Sequence, residues 1–354
     1  MTDLYNKLMK KCISFAKKGR GKTSPNPLVG CVVLDKDNNI ISTGYHHKYG
    51  ENHAERDALL KLKNGEEAGG TLIVNLEPCS HYGKTPPCAD LIVERKLKTV
   101  VFGCKDNNPK VNGGGIKKLK DAGIEVIPNV CYKECRDLNE VFFTNMEEKR
   151  VFVALKTATT IDGKIATNTG NSKWITSDKA RNYARRLRTY YDAILTSSST
   201  VIADNPTMKH KTKVLLDREL KTDFKSTFFK SGKIYVVTDE KNNTDNINLP
   251  SNIEFLKVSC NDEKLDLKMV LNKLYDIGIR SVFVEAGGKL CGSFIKDDLV
   301  DKIYHFIAPK VLNDNSGKSC FDADNISEVS QSKIFTIKSI KRLGDDIMIE
   351  YKKS

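Results

Sequence analysis

Apolar residues recur at helical spacing at the start of the chain. Leu4, Tyr5, Leu8, Met9, Cys12, Ile13, Phe15 and Ala16 form one face of an amphipathic helix over Met1–Lys18. The period then shortens. Leu28–Asp35 reads as a strand, Asp37-Asn38-Asn39 as a turn and Ile40–Gly44 as a second strand. A helix capped by Asn52 is expected from His53 to about Lys63, with Ala54, Ala58, Leu59 and Leu62 inward. Strands at Thr71–Leu76, Thr99–Gly103 and Ile124–Ile127 alternate with helices at Cys88–Lys96 and Gly115–Ala122. Such alternation predicts a layered α/β domain.

A helical stretch from Cys131 to Glu148 closes in the charged cluster Glu147-Glu148-Lys149-Arg150, and a β-run starts at Val151. The boundary is therefore placed between domains 1–147 and 148–354. The second segment mixes strand candidates at Val151–Lys156, Asp192–Thr196, Lys213–Asp217, Lys233–Thr238, Ile253–Val258, Ser281–Glu285 and Lys302–Ile307 with helices at Asp178–Tyr190, Asp266–Ile277 and Lys289–Lys296. The polar tracts Asp239–Ser251 and Asn313–Ser319 read as surface loops.

Length agrees with two domains: 354 residues exceed one typical domain. A composition 39% hydrophobic and 29% charged is that of a globular chain. No apolar run approaches the roughly 20 residues of a membrane span, and the first helix lacks a signal peptide's apolar core, so a cytoplasmic location with no membrane partner is expected. The ten cysteines are scattered, which suits reduced thiols and metal ligands better than a disulfide framework. Cys12, Cys31 and Cys104 fall in apolar stretches. Cys131 and Cys135 could form a second metal pair but lack a His/Cys cluster beside them, and a structural role is the preferred reading. The net charge of +13 invites a nucleic-acid reading, yet the lysines are spread along the chain and do not interleave with aromatic residues. A solvated lysine-rich surface explains them, and no nucleic-acid partner is expected.

Chemistry concentrates in His53-Ala54-Glu55 and, beyond a strand, in Pro78-Cys79 and Pro87-Cys88. One imidazole and two thiolates suit Zn²⁺, with a fourth position left for water. Glu55, two residues after His53, would shuttle the proton as the catalytic residue. Each piece alone is more often structural; together and in order they match the zinc nucleobase-deaminase pattern. That pattern has two residues between the cysteines, whereas here eight separate Cys79 from Cys88. His81 is an alternative third ligand; Cys88, with Pro86-Pro87 before it, is preferred because resemblance to one branch of these enzymes explains the longer spacing.

The longer spacing has a precedent. The run from Glu77 to Cys88 resembles the hallmark of the bifunctional riboflavin-biosynthesis deaminase/reductase family. Further matching pieces follow in order: Pro25 to Gly30, Gly44-Tyr45-His46, His53-Ala54-Glu55, Asp106-Asn107-Asn108-Pro109, Lys156 to Gly163, Trp174 to Ser177, Thr200 to Pro206 and Val284 to Gly288. The resemblance covers nearly the whole chain. It implies an α/β fold class in which an N-terminal cytidine-deaminase-like three-layer domain is followed by a dihydrofolate-reductase-like domain. It also implies hydrolytic deamination of 2,5-diamino-6-ribosylamino-4(3H)-pyrimidinone 5′-phosphate with one Zn²⁺ per chain. NADPH-dependent reduction of the ribosyl chain would follow, giving 5-amino-6-ribitylaminouracil 5′-phosphate. The implied partners are this small phosphorylated pyrimidine and further copies of the chain in a homo-oligomer.

By the same resemblance Asn26, His46, His81 and Lys84 contact the substrate of the deaminase. In the second domain the resemblance gives Lys156, Ser172, Arg188, Met208, Lys211 and Glu285 to the substrate. It gives Ala158, Trp174, Thr200, Asp204, Gly287, Gly288, Lys289, Leu290, Cys291, Gly292 and Ser293 to the cofactor. Read without it, Glu285-Ala286-Gly287-Gly288 between a strand and a helix is either a tight turn or a phosphate-binding loop. Trp174, the one tryptophan, is either a core anchor or a cofactor contact. The chain departs from the family at Met208-Lys209-His210-Lys211, where Lys211 stands in place of an arginine and cannot form its bidentate fork. Two competing functions remain at this stage: a nucleic-acid base deaminase with a basic partner domain, and a zinc-stabilised binding protein without catalysis.

Overall fold

The structure is a computed structural model that describes residues 2–83, 85–106, 113–261, 263–323 and 326–354. Contacts divide the chain into two units, Met1–Lys149 and Arg150–Ser354. The first unit runs α1 (Thr2–Ala16), β1 (Gly30–Leu34), β2 (Ile40–Tyr45), α2 (Ala54–Leu59), β3 (Thr71–Leu76), α3 (Cys88–Glu94), β4 (Thr99–Cys104), α4 (Gly114–Asp121), β5 (Glu125–Ile127), α5 (Tyr132–Leu138) and α6 (Glu140–Glu148). Its five strands form one sheet in the order β2-β1-β3-β4-β5. β1 is antiparallel to β2 and β3, whereas β3, β4 and β5 run parallel.

Glycines show that this sheet is covered on both faces. A Cβ on Gly30 would come closer than 3.0 Å to the Cys12 carbonyl oxygen in α1. The next residue, Cys31, lies opposite Gly44, whose Cβ would come equally close to the Ala54 carbonyl oxygen in α2. Successive strand residues point to opposite faces, so α1 and α2 pack on opposite sides. The result is the three-layer α/β arrangement expected from the sequence. Cys12, Cys31, Cys104 and Cys135 are buried within it.

Several local expectations are corrected. The helix after Asn52 starts at Ala54 with His53 at its N-cap, without a side-chain cap, and ends at Leu59 rather than near Lys63. Asn52 instead offers its carbonyl to the His46 ring. The helix expected over Cys131–Glu148 is two helices broken at Asn139, whose amide accepts from the Leu28 N–H and donates to the Leu28 carbonyl. Asn75, fully buried at the centre of the sheet, holds the same stretch: its Oδ1 accepts from the Gly30 N–H at 2.7 Å, and its Nδ2 donates to the Leu28 carbonyl at 2.9 Å. Two buried amides thus fix the backbone that leads out of Asn26.

The second unit comprises β6 (Phe152–Thr159), β7 (Lys164–Ala166), α7 (Asp178–Arg188), β8 (Ala193–Ser197), α8 (Ser198–Asp204), β9 (Thr212–Leu216), β10 (Lys233–Asp239), β11 (Ile253–Val258), β12 (Cys260–Asn261), β13 (Lys264–Leu265), α9 (Leu267–Asp276), β14 (Ser281–Val284), α10 (Gly288–Lys296), β15 (Lys302–Ile307), β16 (Lys318–Ser319), β17 (Phe335–Leu343) and β18 (Asp346–Lys353). Nine strands build its main sheet in the order β11-β10-β9-β8-β14-β6-β15-β18-β17, parallel except for the antiparallel pairs at β18. Along β8, Ala193 and Leu195 join a core with α9 and α10, while Ile194 joins a core with Val201 of α8 and Phe228. Both faces of this sheet are therefore filled as well. Arg150 grips Asp301 through both guanidinium ends, and Asp301 also accepts from the Val153 N–H at 2.8 Å, which registers β6 against the start of β15. β17 and β18 were not expected. In β17, Ile337 and Ile340 are each followed by a lysine, and a bulge between Ile337 and Ser339 breaks the period of two.

Replacing Asn75 by Ala leaves the buried Gly30 N–H without an acceptor. This should lower stability by about 2 kcal/mol, seen as a lower urea midpoint by circular dichroism; an unchanged midpoint would show that water replaces the amide.

Candidate metal centre and nucleotide site

β3 carries the chain into the first unit's site. Its last residue is Leu76, and Glu77-Pro78 follow before Cys79. Cys88 opens α3, with Pro87 at the N-cap, and His53 occupies the N-cap of α2. The His53 Nδ1 stands 3.5 Å from the Cys79 Sγ and 3.6 Å from the Cys88 Sγ. A tetrahedral ion with bonds of about 2.3 Å to sulfur and about 2.0–2.1 Å to nitrogen sets nitrogen and sulfur about 3.6 Å apart. The donor set therefore fits Zn²⁺ in both element preference and spacing. Among the described residues it is the one cluster of three such donors close enough to share an ion. His81 is not part of it.

The surroundings favour bound thiolate. The Cys88 N–H, at the start of a helix, points at the Cys79 Sγ at 3.3 Å. The Cys88 thiol, together with the His53 ring, holds Cys79 well below the usual thiol range despite burial. Glu55 is only 3% exposed. Burial, with Cys79 beside it, pushes its carboxyl up to about 7, against the pull of the His53 ring. A carboxyl in that range accepts and gives back a proton near neutral pH.

These groups open on a cavity of about 450 Å³, which Asn26, His46 and His81 also line. The buried His46 ring donates from Nδ1 to the Asn52 carbonyl at 2.9 Å, which leaves Nε2 to accept from the Asn26 amide nitrogen at 3.2 Å. Burial lowers the basicity of His46, in keeping with this neutral tautomer. Asn26 is thereby turned so that its donor is engaged by His46, and its carbonyl oxygen is the atom left to accept from a ligand. His81 Nδ1 is buried without a protein partner. Lys84 lies outside the described residues, as do Asn107, Asn108 and Pro109. Glu77 and Asp106 also line the cavity. Sequence reasoning quoted both within motifs without giving either a role.

In the second unit Arg188 and Glu285 meet in a two-pronged pair, Nε to Oε1 at 2.5 Å and Nη2 to Oε2 at 2.9 Å. Burial would raise the Glu285 carboxyl, but Arg188, with Lys156 nearby, holds it below its usual range. Trp174 is 60% exposed, with the Arg181 guanidinium 4.2 Å from its ring centroid, so it does not anchor the core. Met208 is buried in the apolar cluster with Ile194 and Leu215, whereas Lys211 is exposed and Ser172 half-buried. Ala158 and Thr200 are half-buried and Asp204 is exposed.

The glycines at the start of α10 serve two different ends. A Cβ on Gly288 or Gly292 would collide with the backbone of Ser319 or Asp322, so these two permit chain packing. A Cβ on Gly287 would meet nothing within 4 Å. The helix N-terminus is open there and can take a phosphate. Lys289 is exposed, and Leu290 and Ser293 are half-buried. The Cys291 thiol is buried and directed at the Ala286 carbonyl, so that residue can meet a ligand through its backbone alone.

Residues 2–104 match the cytidine and deoxycytidylate deaminase zinc-binding region, and residues 151–349 match the RibD C-terminal domain. The chain is 37% identical to the riboflavin biosynthesis protein RibD of Actinobacillus pleuropneumoniae, over 99% of this chain and 95% of that protein. It is 39% identical to that of Aquifex aeolicus, over 98% and 97%. Among solved structures, RibD of Acinetobacter baumannii superposes with a TM-score of 0.89 at 31% identity over all of both chains. A diaminohydroxyphosphoribosylaminopyrimidine deaminase/5-amino-6-(5-phosphoribosylamino)uracil reductase of Thermotoga maritima gives 0.88 at 37% identity, over 100% of this chain and 99% of that one.

If the three donors hold the metal, Cys88→Ala should leave the protein without stoichiometric zinc after dialysis, while Glu55→Gln keeps one ion per chain by elemental analysis. Full zinc in Cys88→Ala would place the ion elsewhere.

Proposed function

The chain belongs to the RibD family of bifunctional riboflavin-biosynthesis enzymes, and we propose from that premise which of its residues carry each step. It is a zinc-dependent deaminase joined to an NADPH-dependent reductase. The observation that carries the residue assignment is the imidazole and two thiols at tetrahedral spacing beside a buried carboxyl.

His53, Cys79 and Cys88 hold the zinc. When bound, zinc supplies a water acidified towards neutrality as the nucleophile for the ring carbon that bears the 2-amino group. Glu55 takes one proton of that water and delivers it to the ring nitrogen, then takes the second from the newly added hydroxyl group and delivers it to the departing amino nitrogen. The C–N bond breaks, a C=O bond forms, and ammonia leaves. Asn26, held by His46, accepts from a ring N–H, and His81 and Lys84 engage the rest of the substrate. The substrate is 2,5-diamino-6-ribosylamino-4(3H)-pyrimidinone 5′-phosphate.

In the reductase, NADPH when bound would supply hydride to the opened ribose and solvent the balancing proton, giving the ribityl chain. Lys156 and Glu285 hold the sugar, and Arg188, gripped by Glu285, stiffens that carboxylate. Ser172 and Lys211 face the substrate phosphate, with Met208 packed beneath. Gly287 to Ser293 take the cofactor phosphate, and Ala158, Trp174, Thr200 and Asp204 complete its site. The domains divide near residue 148, deaminase before and reductase after. Nothing favours an oligonucleotide substrate, because the basic second half matches the RibD C-terminal domain.

A cytoplasmic location is proposed, supported by the zinc thiolates, which stay reduced there. No described helix is long and apolar enough to cross a membrane. Self-association is assigned to one face of β17 and β18, where Ile337, Ile340 and Ile347 stand 59%, 63% and 41% exposed on the side that carries Ile349 and Tyr351. Lys338 and Lys341 along β17 oppose edge-on pairing with an identical strand, which leaves face-to-face packing of two copies.

Glu55→Gln should slow ammonia release from the diaminopyrimidine by about 10²-fold or more, while NADPH oxidation with the deaminated product supplied directly stays unchanged. A wild-type deamination rate would remove Glu55 from its role, and turnover on oligonucleotides alone would overturn the substrate. Ile340→Lys should lower the sedimentation mass to that of one chain; an unchanged oligomer would exclude this face.

A further inference from the structure

Glu77 is buried at 3% exposure one residue before the Pro78-Cys79 pair, and nothing in the proposed chemistry uses it. Its carboxylate is engaged by backbone N–H groups. Oε2 accepts from the Asp106 N–H and Oε1 from the Ile116 N–H, each at 3.3 Å. The Gly113 N–H adds to the same carboxylate. Asp106 follows β4, and Gly113 and Ile116 lie at the start of α4. One carboxylate thus pins both the segment leaving β4 and the segment entering α4.

The joint has no slack. A Cβ on Gly115 would collide with the Pro78 carbonyl oxygen and would lie 3.4 Å from the Glu77 Oε1, and a Cβ on Gly114 would lie 2.6 Å from the Ser80 hydroxyl. The start of α4 is therefore seated directly on the loop that carries Cys79. Asp106, held at its N–H by Glu77, is 6% exposed and forms part of the cavity wall with His53, Glu55 and Cys79. A charged acceptor that binds neutral N–H groups forms stronger hydrogen bonds than a neutral one. An isosteric amide would present its NH2 to one of those donors and break the pair.

We propose that Glu77 is a positioning residue of the deaminase: it fixes Asp106 in the pocket wall at a set distance from the metal loop, and so sets how tightly the pocket closes on the pyrimidine. It acts through Asp106 and α4, not by touching the reacting atoms. The inference rests on the deaminase reading above, and wild-type protein that fails to deaminate would count against that reading rather than this one.

The test is steady-state deamination by full-length Glu77→Gln, with zinc per chain and NADPH oxidation on the deaminated product measured on the same preparation. The expected result is a KM raised about tenfold or more, a smaller change in kcat, one zinc per chain, and unchanged reduction. Rescue is expected from Glu77→Asp, which keeps both acceptors on a shorter arm and should have a KM between those of Gln and wild type. A wild-type KM in Glu77→Gln would overturn the proposal. So would loss of zinc in step with kcat at constant KM, which would make Glu77 a prop of the metal loop. If Glu77→Gln lacks reductase activity and has not folded, Glu77→Asp is judged on the same KM and zinc criteria.

Discussion

An imidazole nitrogen held 3.5 Å and 3.6 Å from two sulfur atoms in a buried pocket is the constraint on which the first unit depends. Two thiolates so close repel each other, and burial penalises each charge. The arrangement is favourable with a divalent cation among them, and the scaffold prepares for it by aiming a backbone N–H at Cys79. The same burial lifts the Glu55 carboxyl into the range where it trades protons near neutrality. The proposed metal binding and proton transfer thus draw on one feature, a pocket at the end of β3 and the starts of α2 and α3.

The surrounding fold supplies rigidity where that pocket needs it. Asn75 and Asn139 clamp the chain behind Asn26, and His46 and Asn52 set the amide's orientation in front. Glu77 accepts from the Asp106 and Ile116 N–H groups beside the pocket. Each is a buried polar group satisfied by backbone or by a neutral ring, so its position is fixed. In the second unit the Arg188–Glu285 pair has a comparable role. A buried ion pair adds little net stability, but it holds a carboxylate in one place.

The three donors that the structure brings together were legible because they announce themselves locally. His53-Ala54-Glu55 and the prolines before Cys79 and Cys88 are short motifs with one strand between them, and strand and helix periods placed them correctly. Other features depend on partners remote in sequence. Nothing near Asn52 reveals that its carbonyl serves His46 while the helix starts unaided. The break at Asn139 follows from a hydrogen bond to Leu28, 111 residues away. β17 was hidden because lysines follow its isoleucines on an edge strand and a bulge disrupts the period. Gly287, Gly288 and Gly292 look alike in the sequence, and only their neighbours show that one faces open space while two admit the chain.

Zinc-edge X-ray absorption on the purified full-length protein tests the central claim most directly. The account predicts two sulfur ligands near about 2.3 Å and one imidazole nitrogen near about 2.0–2.1 Å, with a light atom completing four-coordination. A shell of four sulfurs, or one of nitrogen and oxygen alone, would contradict it.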